Sequence, residues 1–344
     1  MSAIPAIRRS VVLRRRPGGM PSRDDFELVE DAMPTPARGE VLTRTIWLSI
    51  DPYMRGRMSD RRSYAAPVAV GGVMTGVTVG EVLASGDAEF QPGDIVLGPR
   101  GWQTHIVSPA AGLTRIDRPP AQRLPSLGAY LGVLGMPGVT AYTGMRDIGE
   151  PKPGETVVIS AAAGAVGSVA GQLAKRAGAR VVGIAGGAEK CLYVQEMLGF
   201  DDCVDYRVLD LDDALAAACP DGIDVYFENV GGAVQAAAFA LLNPFARVPM
   251  CGLVAQYNES EPPPGPNLAF VVAKRVKIQG FLVFDKPERA AEWRELATPW
   301  VLDGSLRHRE DVVDGLEEAP DALAGLLAGR NFGKMLVRVD AEPA

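Results

Sequence analysis

The sequence predicts an α/β protein of two domains, an antiparallel, barrel-like β domain and a doubly wound domain with a parallel sheet. Three observations predict it. The chain has 344 residues, too many for one small core and suited to two. Its first third, to about residue 126, is dense in strand and turn signals, whereas residues from about 127 to 299 alternate apolar strands with alanine-rich helical runs. Within that second stretch, a glycine-bearing turn lies between a β-branched run and a helical one, in "VVISAAAGAVGSVAGQLAKRAGARVVGIAGGAEK" (Val157 to Lys190).

The elements follow in order. Arg8, Arg9, Arg14, Arg15 and Arg16 flank the apolar run Val11 to Leu13 and read as the solvated edge of a first strand. "GEVLTRTIWLSID" (Gly39 to Asp51) alternates polar and apolar residues, as a half-buried strand does. "FQPGDIVLG" (Phe90 to Gly98) is a turn feeding an apolar strand. Then come the strand Thr156 to Ser160, the helix Val166 to Ala177 and the strand Arg180 to Ala185. They are followed by Asp224 to Glu228, Val234 to Leu242, Arg247 to Cys251 and Lys277 to Leu282, which continue the parallel pattern. Pro262, Pro263, Pro264 and Pro266 mark a stiff loop between two of these strands. A last helix (Asp321 to Ala328), the turn "GRNFG" and the strand "KMLVRV" close the sequence, and that strand is expected to return to the first domain. The expected boundaries are 1–126 with 300–344 for the β domain and 127–299 for the parallel-sheet domain.

Composition narrows the function. With 47% hydrophobic and 22% charged residues the chain is an ordinary globular one. A net charge of -7 argues against general nucleic-acid binding. No window reaches the roughly 18 uncharged apolar residues of a membrane span, and no apolar run near the N-terminus suits a signal peptide. Cys191, Cys203, Cys219 and Cys251 form no C-x-x-C pair, which suits a reducing, cytoplasmic setting.

In the glycine turn, Gly164 lets backbone approach a pyrophosphate and Gly167 lets helix and strand pack closely. The helix N-terminus adds N–H groups and a favourable dipole. Ala162 stands where the first glycine of the fingerprint is expected, so the turn there must avoid positive φ. An NAD site carries an Asp or Glu about 20 residues on, at the end of the second strand. Here that strand ends Gly186-Gly187-Ala188-Glu189-Lys190. The missing carboxylate removes repulsion of a 2′-phosphate and Lys190 supplies positive charge, so NADP is expected, with Glu189 pointing away.

Several longer pieces carry a resemblance: "WLSIDPYMRGRM" (Trp47 to Met58), "LGMPGVTAYTGM" (Leu134 to Met145), "FENVGG" (Phe227 to Gly232), "CGLVAQYN" (Cys251 to Asn258) and "NFGKMLV" (Asn331 to Val337). With the glycine turn, they resemble the zinc-free, NADP-dependent alkenal/one reductases of the medium-chain dehydrogenase/reductase superfamily. That group includes leukotriene B4 dehydrogenase, prostaglandin reductase and bacterial curcumin reductase relatives. The resemblance spans essentially the whole chain and accounts for Ala162, since A-x-G-x-x-G is common there. It implies a GroES-like antiparallel β-barrel domain, a Rossmann domain and a homodimer joined through the Rossmann sheets. It places Gly164, Ala165, Val166 and Gly167 on the pyrophosphate of NADP, Lys190 and Tyr206 near the adenosine phosphate with Arg207 adding charge, and Asn229 at the end of the fourth strand. It also turns the backbone at Cys251, Gly252 and on to Tyr257, and at Phe281, Leu282 and Val283, toward the cofactor, with Asn331 at the nicotinamide end.

Zinc alcohol dehydrogenases belong to the same superfamily, so metal needs its own test. All four cysteines lie beyond residue 190, "GGVMTGVTVGEV" has no histidine, and His105 and His308 stand alone; no metal is expected. Without a Lewis acid, reduction of a conjugated double bond becomes the favoured hydride chemistry, because the carbonyl already makes the β-carbon electrophilic. The substrate expected is a small hydrophobic unsaturated aldehyde or ketone. Tyr257 is the candidate donor to the developing enolate oxygen, or else packs on substrate or nicotinamide. Tyr53, Tyr64 and Met136 are candidate substrate contacts. Arg55 either orients a substrate carboxylate or is tied to a neighbour such as Asp51. A zinc-free quinone oxidoreductase is the enzymatic alternative, and a non-catalytic NADPH-binding protein the remote one.

Overall fold

The computed structural model describes residues 4–117, 124–207, 210–261 and 263–343, so Pro262 of the proline-rich loop lies outside the described residues. The chain divides into two compact units, 1–131 with 310–344, and 132–309. Along the chain run β1 (Ile7–Leu13), β2 (Phe26–Ala32), β3 (Glu40–Ser49), a short helix α1 (Tyr53–Arg57), β4 (Val77–Ser85), β5 (Ile95–Pro99), β6 (His105–Pro109) and β7 (Thr114–Arg115). The second unit contributes α2 (Met136–Gly144), β8 (Thr156–Ser160), α3 (Gly167–Arg176), β9 (Arg180–Ala185), α4 (Ala188–Glu196), β10 (Asp202–Asp205) and α5 (Leu211–Ala218). It continues with β11 (Ile223–Phe227), α6 (Gly232–Ala240), β12 (Leu242–Met250), α7 (Ala269–Lys274), β13 (Lys277–Gly280) and α8 (Glu288–Leu302). Then β14 (Glu310–Asp314), α9 (Ala319–Leu327) and β15 (Lys334–Arg338) complete the first unit.

In the first unit a seven-stranded sheet has the order β14-β15-β3-β4-β5-β7, with β6 also pairing β3, and β1 and β2 form a separate antiparallel ribbon. The expected antiparallel character holds except at one edge, where β14 and β15 run parallel. The last strand does return here, beside β3. Val11, Leu13, Leu48, Met54, Met58 and Trp102 form one apolar cluster, in which Phe26 stacks on Trp102 at 5.4 Å. Burying side chains of this size contributes about 1.5–3 kcal/mol each. Of the basic N-terminal run, Arg15 pairs with Asp25 at 2.7 Å and Arg16 donates to the Met58 carbonyl, so that charge serves the fold.

In the second unit six strands lie in the order β10-β9-β8-β11-β12-β13, all parallel. Every residue of β8 is buried, as expected of a strand covered on both faces. α3 buries Val169, Ala170 and Ala174 on one stripe, the helical spacing read from the sequence. Val158, Val182, Ile184, Tyr226, Phe239 and Val248 centre the core.

Candidate functional site

Because the sheet of the second unit is parallel, the segments after all six strands leave it from one edge. Those segments are 161–167 after β8, 186–190 after β9, 206–207 after β10, 228–231 after β11, 251–257 after β12 and 281–283 after β13. The strand order reverses direction between β8 and β11, and ligands of open α/β sheets bind outside the carboxyl ends at such a switch. Twelve of the thirteen expected cofactor residues stand on these segments, all but Asn331, and Cys251, Gly252 and Tyr257 share a pocket with Phe281 and Leu282.

The turn after β8 confirms the reading of Ala162 and adds a feature. Ala162 is absent from the residues with positive φ; the left-handed position is Ala161, at φ 51°. A side chain at Gly167 would strike the Ala161 carbonyl oxygen, so close approach requires glycine there. Gly164 donates its N–H to Ala161 O at 2.9 Å, and α3 begins at Gly167 with Val166 as its N-cap. The opening N–H groups of a helix have no partner within it and carry its positive end, which suits a pyrophosphate.

At the end of β9, a Cβ on Gly186 would lie 2.7 Å from the Tyr206 ring, so the missing side chain lets that ring lie on the backbone. Gly187 has φ 100° and N-caps α4, which carries Lys190 in its first turn. Asp205 accepts from the N–H of Gly187 at 2.8 Å and of Arg207 at 3.0 Å, tying the two turns together. Desolvation would raise its carboxyl, but these N–H donors and the Arg207 charge outweigh it and hold the group below its ordinary range. Tyr206 is 41% exposed and Arg207 stands 5.9 Å from its ring centre. Glu189 is exposed. A bare backbone, a phenol and two cations are a donor set that fits a 2′-phosphate.

The pocket after β12 and β13 measures about 470 Å³ and is lined by Cys251, Gly252, Leu253, Tyr257, Phe281 and Leu282 among others. A Cβ on Gly252 would lie 3.1 Å from the Tyr257 hydroxyl oxygen. Phe281 meets Phe227 edge-on at 6.4 Å. Burial, with the Glu228 carboxylate adding, pushes the Cys251 thiol up to about 12, so it stays a thiol at neutral pH. Val283 opens the short turn after Leu282, and Met136 begins α2 in the same unit, next to Pro137.

Tyr53, Tyr64 and Asn331 belong to the first unit. Tyr53 lies on α1, and burial followed by the nearby Asp51 pushes its phenol well above the ordinary range. Tyr64 is 59% exposed. Asn331 donates to Gly333 O at 2.8 Å. One expectation is corrected here. Asp51 pairs with Lys334 at 2.8 Å, while Arg55 turns to the carbonyls of Gly19 (3.0 Å) and Pro17 (3.3 Å). Lys334 comes from the far end of the sequence, a partner that local spacing does not reveal.

Spacing along the sequence does not single out Glu228 of the "FENVGG" piece. It is fully buried at the end of β11, and its Oε1 accepts from Val230 N (2.7 Å), Gly231 N (3.0 Å) and the Tyr226 hydroxyl (3.0 Å). Its Oε2 is buried without a partner among the described residues. Such an unsatisfied acceptor costs about 1–3 kcal/mol. The available signal was a lone acid closing an apolar strand with no basic residue near it in sequence.

Among the described residues no three His, Cys, Asp or Glu side chains are grouped to hold a metal ion. Two family models match the chain: "N-terminal domain of oxidoreductase" over residues 9–116 and "Zinc-binding dehydrogenase" over residues 165–302. The second description names a metal, but the chain keeps no cysteine before residue 191 and so lacks thiolate ligands in its first domain. The chain is 50% identical to an NADPH-dependent curcumin reductase of Escherichia coli (strain K12), covering 97% of each. It is 41% identical to a 2-alkenal reductase (NADP(+)-dependent) of Nicotiana tabacum, covering 97% of this chain and 98% of that one. The crystal structure of CurA in complex with NADPH from Vibrio vulnificus matches with a TM-score of 0.91 at 48% identity, over 97% of this chain and all of the other.

Proposed function

This chain belongs to the zinc-free medium-chain dehydrogenase/reductase family, and from that premise we propose that it reduces the C=C bond of α,β-unsaturated aldehydes and ketones with NADPH. The observation that carries the reading is the convergence, at one edge of one parallel sheet, of a pyrophosphate-type glycine turn, an acid-free strand end with Lys190 and Tyr206, and an apolar pocket bearing the phenol of Tyr257.

Bound NADPH supplies the hydride that adds to the β-carbon of the conjugated carbonyl. The chain's own residues do the rest. Gly164 to Gly167 receive the pyrophosphate, and Lys190, Tyr206 and Arg207 receive the 2′-phosphate. Asn229, the Cys251–Gly252 and Phe281–Val283 backbones and Asn331 orient the nicotinamide end. Tyr257 donates an O–H hydrogen bond to the substrate carbonyl oxygen as negative charge gathers there, and a proton from water then completes the α-carbon of the enolate, giving the saturated aldehyde or ketone. Met136, Tyr53 and Tyr64 contact the substrate. The first unit serves as the substrate domain and the second as the cofactor domain. We assign the protein to the cytoplasm, in keeping with its four free cysteines and with the absence, among the described residues, of a helix long and apolar enough to cross a membrane. We further assign a homodimer formed at β13.

Initial rates with NADPH and NADH against a trans-2-alkenal, with the product identified by NMR, test the reading. The expected product is the saturated aldehyde, made with NADPH and far more slowly with NADH. An allylic alcohol, its double bond intact, overturns the reaction class. Equal use of NADH overturns the role of Lys190 alone.

A further inference from the structure

Glu228 does more than fill the core. Its Oε1 collects two consecutive backbone N–H groups and the Tyr226 phenol, and the Ser160 hydroxyl lies 3.3 Å away. Ser160 in turn accepts from Asn229 N at 2.8 Å, and Asn229 returns its side-chain amide to Ser160 O at 2.7 Å. This cluster ties the carboxyl ends of β8 and β11 together at the switch point of the sheet.

The ties go on into the pocket. Cys251 N and Gly252 N donate to the carbonyl of Glu228 at 2.9 and 3.2 Å. The carbonyls of Asn229 and Val230 accept from Val254 N (3.2 Å) and Ala255 N (2.9 Å), which begin the turn bearing Tyr257. One buried side chain therefore fixes the 229–231 turn, and that turn fixes the pocket wall.

We propose that Glu228 is a positioning residue: its carboxylate sets the Asn229–Gly231 turn, and through it the Val254–Tyr257 segment, in the geometry that binds the cofactor. The inference rests on the reading of this edge as an NADPH site. An acid suits the task because its charge strengthens every bond that its Oε1 accepts, whereas glutamine keeps an acceptor oxygen but loses the charge and sets an NH₂ group beside it. An apolar residue would spare the buried, unpartnered Oε2 but leave Val230 N and Gly231 N without their acceptor.

The test uses the full chain carrying Glu228→Gln, with NADPH titrated by fluorescence, melting followed without cofactor, and the alkenal KM taken at saturating NADPH. The expected result is an NADPH Kd raised by about threefold or more, with melting within about 3 °C and the alkenal KM within about twofold of the unaltered chain. A smaller rise in Kd overturns the inference, as does a rise accompanied by lower melting and a raised alkenal KM, which marks general loosening. If Glu228→Gln does not fold, Ser160→Ala carries the test by the same criteria, since it removes the hydroxyl that joins the Glu228 carboxylate to Asn229 N, along with its bond to the Phe227 carbonyl. A chain that binds NADPH but reduces no alkenal sinks the proposed reaction while the Kd comparison still decides the role of Glu228. A chain that reduces alkenals with an unchanged Kd in both variants sinks Glu228 alone.

Discussion

Lys190 sits on the first turn of α4, after a strand end with no acid, and the Tyr206 ring lies over Gly186 at the start of the same turn. A cation opposite a phosphate makes charge-assisted hydrogen bonds, roughly twice as strong as neutral ones. Lys190→Ala is therefore expected to lower kcat/KM for NADPH about tenfold, near 1.4 kcal/mol, while leaving the NADH value within about twofold. Steady-state rates with both cofactors check it, and equal losses for the two would remove Lys190 from the phosphate. Tyr257→Phe removes one donor to the developing enolate oxygen, and kcat should fall about tenfold to a hundredfold with little change in alkenal KM. An unchanged kcat would leave the ring only a packing role. Residues whose chemistry is local were readable in the sequence. Gly164, Gly167 and Lys190 follow from spacing along one strand–turn–helix. Glu228 was not readable, because its donors are backbone N–H groups and a phenol that gather only once the turn has formed. Nor was the partner of Asp51, which lies 283 residues away.

Elements with one dominant signal were the legible ones. β8 and β9 are β-branched runs buried on both faces, and α3 keeps a clean apolar stripe, so their bounds fall within a residue of those read from periodicity. β14 is not legible in the sequence because Val312 and Val313 are its only apolar residues, and its parallel place beside β15 depends on tertiary pairing. The helix α8 is faint in the sequence for a related reason. It buries only Trp293, Ala297 and Val301, and part of its attachment is ionic. Arg289 and Lys286 both reach Asp147, in the turn that follows α2, at 2.9 Å. Desolvation of Asp147 is outweighed by these two partners, so its carboxyl titrates below the ordinary range. A depressed acid contributes stability that is present above its unfolded pKa, about 3.9, and is lost as pH falls through the folded value. Asp147→Asn should lower the melting temperature at pH 7 by about 2–4 °C, for about 1 kcal/mol after solvent screening. The difference should close as pH falls toward about 2, and melting curves at the two pH values check it. A difference that persists in acid would make packing, not charge, the role of Asp147.

On the scale of the whole molecule, the sheet of the second unit ends at β10 on one side and at β13 on the other. Among the described residues β13 has a neighbour on one side only, and its residues are mostly exposed. Exposed edges invite pairing with another chain unless they are blunted. Apolar side chains accompany this one: on and beside α7, Val272 is 81% exposed and Leu268 56%, and Phe245 of β12 is 63% exposed under the Arg275 guanidinium. A two-fold axis through β13 would pair it antiparallel with its copy and cover this surface, since a two-fold contact uses the same patch on both chains. Light scattering after gel filtration should then give twice the chain mass of 36.4 kDa. Val272→Glu sets a charge into the contact and should shift the species toward the single chain. The NADPH Kd should hold within about twofold, because every residue assigned to the phosphates lies within one chain's second unit. A single-chain mass for the unaltered protein would mean that this edge is left open in solution. A dimer untouched by Val272→Glu would place the contact on a different face.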